Sequence, residues 1–114
     1  MVSISDVAPG DVLRDIWVDY ADEDAGKERP AVVLVVENDA GRVGVLPVYS
    51  RRNKTYRPDA LAIEDWAQAG LDHLSYIDTD NMLYLTALRL GDDVTLAGHL
   101  SDTDLVRLVD KLSD

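Results

Sequence analysis

The sequence predicts one domain, residues 1–114, of the mainly β (α+β) class: a small antiparallel barrel with a short inserted helix and a C-terminal helix. Two Val-rich apolar runs of six residues, 31–36 and 43–48, flank a turn-rich stretch and predict a buried β-hairpin. The other apolar segments are short and show no strand–helix–strand alternation, so a parallel sheet is not expected. Residues 101–112 have the apolar spacing of a helix.

The composition is that of an ordinary globular domain, with 46% hydrophobic residues, and it contains no cysteine. Disulfides, a thiolate nucleophile and a cysteine-based zinc site are therefore excluded. The first residues lack the basic and apolar regions of a signal peptide, and no apolar run approaches the roughly 18 residues of a membrane span. We therefore expect a cytoplasmic protein with no membrane partner.

The formal net charge of −11 is unevenly distributed along the chain. Residues 1–26 carry a net −6, residues 27–58 a net +4 and residues 59–114 a net −9. The total argues against non-specific nucleic-acid binding by the whole surface. Screening over about 8 Å still permits a local basic patch to act, whereas the acidic flanks are equally explained by solubility.

The first half of the chain reads as strands separated by polar segments. A first strand is predicted over residues 12–18, and the acidic segment 19–28 follows as a surface loop or a lid over a site. The hairpin comes next, and its turn contains Asn38, Asp39 and Gly41, which accept tight or left-handed conformations.

A basic segment, RRNKTYRP, occupies residues 51–58 directly after the hairpin. Arginine and lysine neutralise phosphates, and a tyrosine ring offers a stacking surface to a base. The alternative is an ordinary polar loop. We favour nucleic-acid binding because this is the one dense basic cluster in an acidic chain; its candidate RNA-binding residues are Arg51, Arg52, Lys54, Tyr56 and Arg57.

The second half predicts more short strands and two helical segments. Residues 64–69 read as a short helix closed by Gly70, with Trp66 directed into the core. The C-terminal helix spans residues 101–112, capped by Ser101, and its apolar stripe is expected to dock on the barrel through Leu105, Leu108, Val109 and Leu112. Further strands are predicted over residues 59–63, 74–78, 82–90 and 94–97.

Metal chemistry finds little support in the residue pattern. His73 and His99 have no ligand neighbour at helical or strand spacing. Asp78 and Asp80 would share one face of a strand and could bind Mg²⁺, but residue preference favours a turn at this point. No cofactor is expected.

The open end of the hairpin gathers a cation, a phenol and a hydroxyl. In an antiparallel pair Arg29 lies beside Tyr49 and Ser50. RNA cleavage needs a group that takes the 2′-hydroxyl proton, a group that protonates the leaving oxygen, and a cation at the phosphate. Alternatively, Arg29 pairs with Glu28 or with an aspartate of the neighbouring loop.

The chain resembles the MazF/PemK toxin family of toxin–antitoxin modules in six segments whose order and spacing match together. These segments are PGDV at 9–12, KERPAVVL at 27–34, LPVYS at 46–50, AGL at 69–71 with Ser75, DNM at 80–82, and AGHLSDTDLVRLVDKL at 97–112. The resemblance implies an SH3-like barrel that forms a homodimer. It also implies a metal-independent endoribonuclease that cleaves single-stranded RNA and is inhibited by a cognate antitoxin.

The same resemblance assigns the candidate catalytic residues. The family arginine falls on Arg29, and the family hydroxyl residue falls on Tyr49, with Ser50 next to it. A one-residue shift reverses the facing of a strand residue, so these two cannot both point into one groove. Some members carry arginines where this chain has Asp78 and Leu83.

The alternative is a non-catalytic member of the same superfamily. Such a protein would bind a protein target, as CcdB-type toxins bind DNA gyrase, or would bind only its antitoxin. A C-terminal helix with an exposed apolar stripe would favour the protein-target version. A homodimeric structural domain without toxicity is a third possibility that the net charge leaves open.

Overall fold

The computed structural model describes residues 4–18, 27–49, 60–86 and 94–113. In this part of the chain a 3-10 turn, Ile4–Asp6, precedes seven strands and one helix. Their bounds are β1 Asp11–Val18, β2 Lys27–Glu37, β3 Arg42–Tyr49, β4 Leu61–Ile63, β5 Ser75–Ile77, β6 Leu83–Thr86, β7 Thr95–His99 and α1 Asp102–Leu112.

All strand pairs among these residues are antiparallel, and the sheet curls into a half-barrel with the helix at the C-terminal end. The order across the sheet is β4-β5-β3-β2-β1-β7, and β6 also pairs with β3. The predicted mainly β, antiparallel architecture is thus confirmed. No described helix combines the length and apolar character that crossing a bilayer requires.

The predicted central hairpin is strands β2 and β3. Its register runs from the Glu37–Arg42 pair at the turn to the Ala31–Pro47 pair. Gly41 adopts a φ of 66° in the turn, and its N–H donates to the carbonyl of Asn38 at 3.1 Å. Strand β2 begins at Lys27, so the last two residues of the expected acidic loop belong to the strand, and the remaining loop residues 19–26 lie outside the described part.

Strand β2 is buried on both faces, as its uninterrupted apolar run predicts, and it separates two hydrophobic clusters. Ala31 and Val33 face a cluster that includes Leu13, Leu85 and the N-terminal Val7. The alternate residues of β2 face the second cluster, which joins β4 and β5, the turn after β4 and the helix. The hairpin therefore contributes residues to both hydrophobic clusters.

Residues 64–70 form hydrogen-bonded turns in place of the predicted short helix. The N–H groups of Gly70 and Leu71 donate to the carbonyls of Ala67 and Trp66, the two bonds of a Schellman motif. Gly70, with φ of 83°, is the closing residue as predicted. A Cβ here would lie 2.1 Å from the Ala97 carbonyl oxygen, so the turn packs directly on the backbone of β7. Trp66 is half-buried against the second cluster.

Helix α1 has the predicted start, because the Ser101 hydroxyl accepts a hydrogen bond from the Asp104 N–H at 3.1 Å. The predicted docking stripe is half wrong. Leu108 is fully buried and Leu105 half-buried, but Val109 and Leu112 are 51% and 38% exposed.

The reason is a polar contact that fixes the rotation of α1. The buried Asp104 carboxylate accepts hydrogen bonds from the N–H groups of Glu64 and Asp65 and from Arg107, and Arg107 also donates to the carbonyl of Ala62. These bonds turn the Asp104 side of the helix toward the sheet and the Val109 side toward solvent.

The bounds of the remaining strands differ from the predicted ones. Of the predicted strand 74–78, residues 75–77 are paired, and of 82–90, residues 83–86 are paired, with 87–90 outside the described part. The predicted strand 94–97 is displaced to Thr95–His99, and of the predicted strand 59–63 the residues Leu61–Ile63 are paired, with residue 59 outside the described part.

Candidate functional site

A cleft of about 300 Å³ opens where β1, β2 and β3 meet the segment that leads into β5. Its floor is apolar and its rim is charged. The described residues that line it are Arg14, Asp15, Arg29, Pro30, Val48, Leu71, Asp72, His73 and Ser75.

Arg29 and Tyr49 are brought together across the open end of the hairpin, as the antiparallel register predicts. Continuing the register two residues beyond the Ala31–Pro47 pair places them opposite each other. The guanidinium carbon of Arg29 lies 4.3 Å from the centroid of the Tyr49 ring. Stacking of this kind fixes the plane of a guanidinium and contributes about 0.5–2 kcal/mol. Tyr49 is 4% exposed and lies beneath Arg29, while Arg29 itself lines the cleft.

Arg14 enters the cleft because strand β1 is irregular. The pairing of β1 with β2 shifts register between Leu13 and Ile16, so a bulge occupies this point. Asp15 within it has a φ of 67°, a left-handed conformation that is uncommon outside glycine. The bulge directs both Arg14 and Asp15 to the cleft.

The opposite wall is the segment 71–75, and hydrogen bonds hold it at several points. Arg14 donates to the carbonyl of Gly70 and lies 3.6 Å from the Asp72 carboxylate. The hydroxyl of Ser75, a buried residue, donates to the carbonyl of His73 at 3.0 Å. The cleft therefore presents two guanidinium groups, two carboxylates and one imidazole on a constrained backbone.

The sequence-predicted site residues divide into two groups. Arg29 and Tyr49 lie together at the cleft, and the remaining candidates lie outside the described residues: Ser50, Arg51, Arg52, Lys54, Tyr56 and Arg57. Sequence reasoning missed Arg14, Asp72 and His73. The AGL segment and Ser75 flank the missed wall, but the bulge that brings Arg14 to it leaves no pattern in the sequence.

The Asp78–Asp80 pair forms a turn, the alternative that residue preference favoured over a magnesium site. The Asp78 carboxylate is buried and accepts hydrogen bonds from the Asp80 N–H at 3.1 Å and from the Asn81 side chain at 2.9 Å. Within residues 4–18, 27–49, 60–86 and 94–113, no group of three acidic or histidine side chains is arranged to hold a metal ion.

The chain matches a known protein family over most of its length. Residues 10–114 match the model of a family described as the PemK-like, MazF-like toxin of type II toxin–antitoxin systems. No curated protein sequence matches the chain.

Two solved structures of MazE–MazF from Deinococcus radiodurans share the fold. A chain of crystal form III is 21% identical with a TM-score of 0.61, and the match covers 94% of this chain and 92% of that one. A chain of form II is 18% identical with a TM-score of 0.62, and the match covers 94% and 91%.

Proposed function

Because the chain belongs to the PemK-like, MazF-like toxins of type II toxin–antitoxin systems, we propose that it is an endoribonuclease that cleaves single-stranded RNA at short sequences without a metal ion. The observation that carries this proposal is the position of Arg29. This arginine, from the Arg-Pro pair of the family resemblance, lines the cleft with its guanidinium stacked on a buried ring.

Arg29 is suited to the phosphate at which the RNA chain is cut. A guanidinium remains charged at any physiological pH and binds two phosphate oxygens at once. Its stack on Tyr49 fixes its plane before substrate arrives, so that it can stabilise the charge that develops on phosphorus without reorganising. Arg14, which also lines the cleft, adds a second cation for a neighbouring phosphate.

The other candidate residues complete the proposal. Ser50 or Tyr49 supplies the hydroxyl that positions the RNA or exchanges a proton. The basic segment that follows holds the RNA backbone through Arg51, Arg52, Lys54 and Arg57, and Tyr56 stacks a base. We propose that the toxin acts on RNA in the cytoplasm.

The experiment is cleavage of a long single-stranded RNA in EDTA by wild type, Arg29→Ala and Arg29→Lys. Removing a fixed charge donor from a transition state typically reduces the rate by about 10²–10³-fold. We expect that loss for Arg29→Ala and a smaller one for Arg29→Lys, because lysine keeps the charge and loses the bidentate geometry.

Arg42 provides a matched control. Its guanidinium stacks on the Tyr84 ring at 4.1 Å, so Arg42→Ala removes the same kind of contact. Arg42 and Tyr49 occupy opposite ends of β3, which separates them by about 23 Å along the strand at about 3.3 Å per residue. Arg42→Ala should cleave RNA at the wild-type rate. Equal losses in both variants would contradict the role of Arg29.

The expected partners follow from the family. The structurally similar chains were crystallised as MazE–MazF, and we propose that this toxin likewise binds a cognate antitoxin and forms a homodimer. Light scattering of the purified toxin, alone and after addition of the antitoxin, measures both stoichiometries. A monomer at micromolar concentration would contradict the dimer.

One observation favours a second candidate, a toxin that binds a protein target in the manner of CcdB-type toxins or only its antitoxin. Val106, Val109 and Leu112 of α1 are exposed and form an apolar face on the helix. The salt dependence of binding affinity distinguishes the two candidate functions. Affinity for RNA should fall steeply between 50 and 200 mM salt through counterion release, whereas binding through this apolar face should change little.

A further inference from the structure

His73 lies at the cleft with an accessible side chain on a constrained backbone. His73 is exposed, and it lines the cleft together with Arg29. Its carbonyl accepts the hydrogen bond from Ser75, and the preceding Asp72 is paired with Arg14. An exposed ring on a constrained segment can meet a substrate without a large rearrangement.

The charged groups that line the cleft together with His73 come from three elements. Arg14 and Asp15 belong to β1, Arg29 belongs to β2, and Asp72 belongs to the same segment as the histidine. Two cations and two carboxylates thus share this cleft with one imidazole. Among these described lining residues, His73 is the one whose side-chain type ordinarily exchanges a proton near neutral pH.

Among the described residues, Tyr49 and the carboxylates of the cleft are less suitable for this proton transfer. Tyr49 lies beneath the Arg29 guanidinium and is 4% exposed. An imidazole is a stronger base than a carboxylate and a better proton acceptor at neutral pH than a phenol. The cleft therefore combines a phosphate-binding cation with a suitable base.

We propose that His73 is the general base of RNA cleavage, a role that rests on the endoribonuclease function proposed above. Neutral His73 takes the proton of the ribose 2′-hydroxyl as the 2′-oxygen forms a bond to phosphorus. The bond from phosphorus to the 5′-oxygen breaks, and the leaving oxygen takes a proton from water. The products are a 2′,3′-cyclic phosphate and a free 5′-hydroxyl, and the imidazolium returns its proton to solvent.

The test compares RNA cleavage by wild type, His73→Gln and His99→Gln in EDTA between pH 5 and 8. The wild-type rate should rise with pH, as expected for a reaction that needs a general base. General-base catalysis contributes about 10²–10⁴-fold to a reaction rate. The His73→Gln rate should therefore be lower by that factor and should no longer rise with pH between pH 5 and 8.

His99 is the matched control because it is the other of the two histidines in the chain. It lies on β7, and its Nδ1 is 2.7 Å from the Asp11 carboxylate. His99→Gln should keep the wild-type rate and pH profile. Thermal denaturation of each variant checks that the fold is intact.

Two further measurements distinguish catalysis from a structural effect. Imidazole added to the buffer should partly restore cleavage by His73→Ala. A 2′-deoxy oligonucleotide of the substrate sequence, which lacks the attacking hydroxyl, should bind His73→Gln as tightly as wild type. Failure of rescue together with weakened binding would assign His73 a binding role and overturn the proposal.

The outcome for the wild type separates the two proposals. Cleavage by wild type and by His73→Gln at the same rate would overturn the role of His73 and leave the endoribonuclease function intact. A folded wild-type protein that does not cleave RNA would overturn both.

Discussion

Replacement of Asp104 by alanine should be among the most destabilising changes on the helix. The Asp104 side chain is 2% exposed and its carboxylate accepts hydrogen bonds at 2.8 Å from the Asp65 N–H, 3.2 Å from the Glu64 N–H and 2.9 Å from Arg107. Removing it takes the acceptor from two backbone donors and leaves Arg107 with Glu64, at 4.0 Å, as its remaining carboxylate. It also frees the turn 64–70, which leads into the cleft wall.

The expected loss follows from these contacts. Hydrogen bonds to charged groups contribute about 1.5–3 kcal/mol each, and removal of one partner of a buried ion pair costs about 3–5 kcal/mol. Because the contacts are only partly buried, we expect a total near 3–5 kcal/mol. With an unfolding entropy of about 2.1 cal/mol/K per residue, 114 residues give a decrease in Tm of about 13–21 °C.

Denaturant unfolding and thermal melting of Asp104→Ala, Asp104→Asn and Asp110→Ala measure this loss. Asparagine keeps one acceptor oxygen, so we expect about half the effect for Asp104→Asn. Asp110 is an exposed aspartate on the same helix and should change stability by less than about 0.5 kcal/mol. A loss below about 1 kcal/mol for Asp104→Ala would refute the argument that this carboxylate fixes the helix to the turn.

Three further predictions concern backbone conformation and helix burial. Gly70→Ala should cost about 2–4 kcal/mol, since its Cβ would overlap a carbonyl of β7 at positive φ, whereas Gly41→Ala, at positive φ in open space, should cost about 1 kcal/mol. Asp15→Gly should be more stable than Asp15→Ala by about 1 kcal/mol because glycine tolerates a φ of 67°. Leu108→Ala should cost about 2–5 kcal/mol and Val109→Ala under about 1 kcal/mol. Unfolding curves test all three, and reversal of any of these orders would contradict the corresponding packing argument.

The hairpin and the ends of the helix were predictable because local chemistry determines them. Uninterrupted valines indicate a strand buried on both faces, and the serine cap marks the start of α1. The proximity of Arg29 and Tyr49 followed from antiparallel register alone. In each case the decisive interactions join residues that are near in sequence or related by one turn.

The facing of α1 and the composition of the cleft depend on contacts between distant residues. Asp104 looks like an ordinary first-turn carboxylate, but its partners lie about 40 residues earlier and rotate the predicted apolar stripe partly to solvent. Arg14 donates a hydrogen bond to the carbonyl of Gly70, 56 residues later in the chain. The bulge that positions Arg14 could not be predicted from the residue pattern. His73 shows no partner pattern in the sequence because Arg14 and Arg29, which line the same cleft, lie on the distant strands β1 and β2.

The central claim is that Arg29 and its cleft cleave RNA. Its most direct test is end-group analysis of a long single-stranded RNA after incubation with the purified wild-type protein in EDTA. Discrete cuts that carry 2′,3′-cyclic phosphate and 5′-hydroxyl ends, absent with Arg29→Ala and present with Arg42→Ala, are the predicted result. Intact RNA after incubation with folded wild-type protein, or cuts that persist unchanged in Arg29→Ala, would contradict the claim.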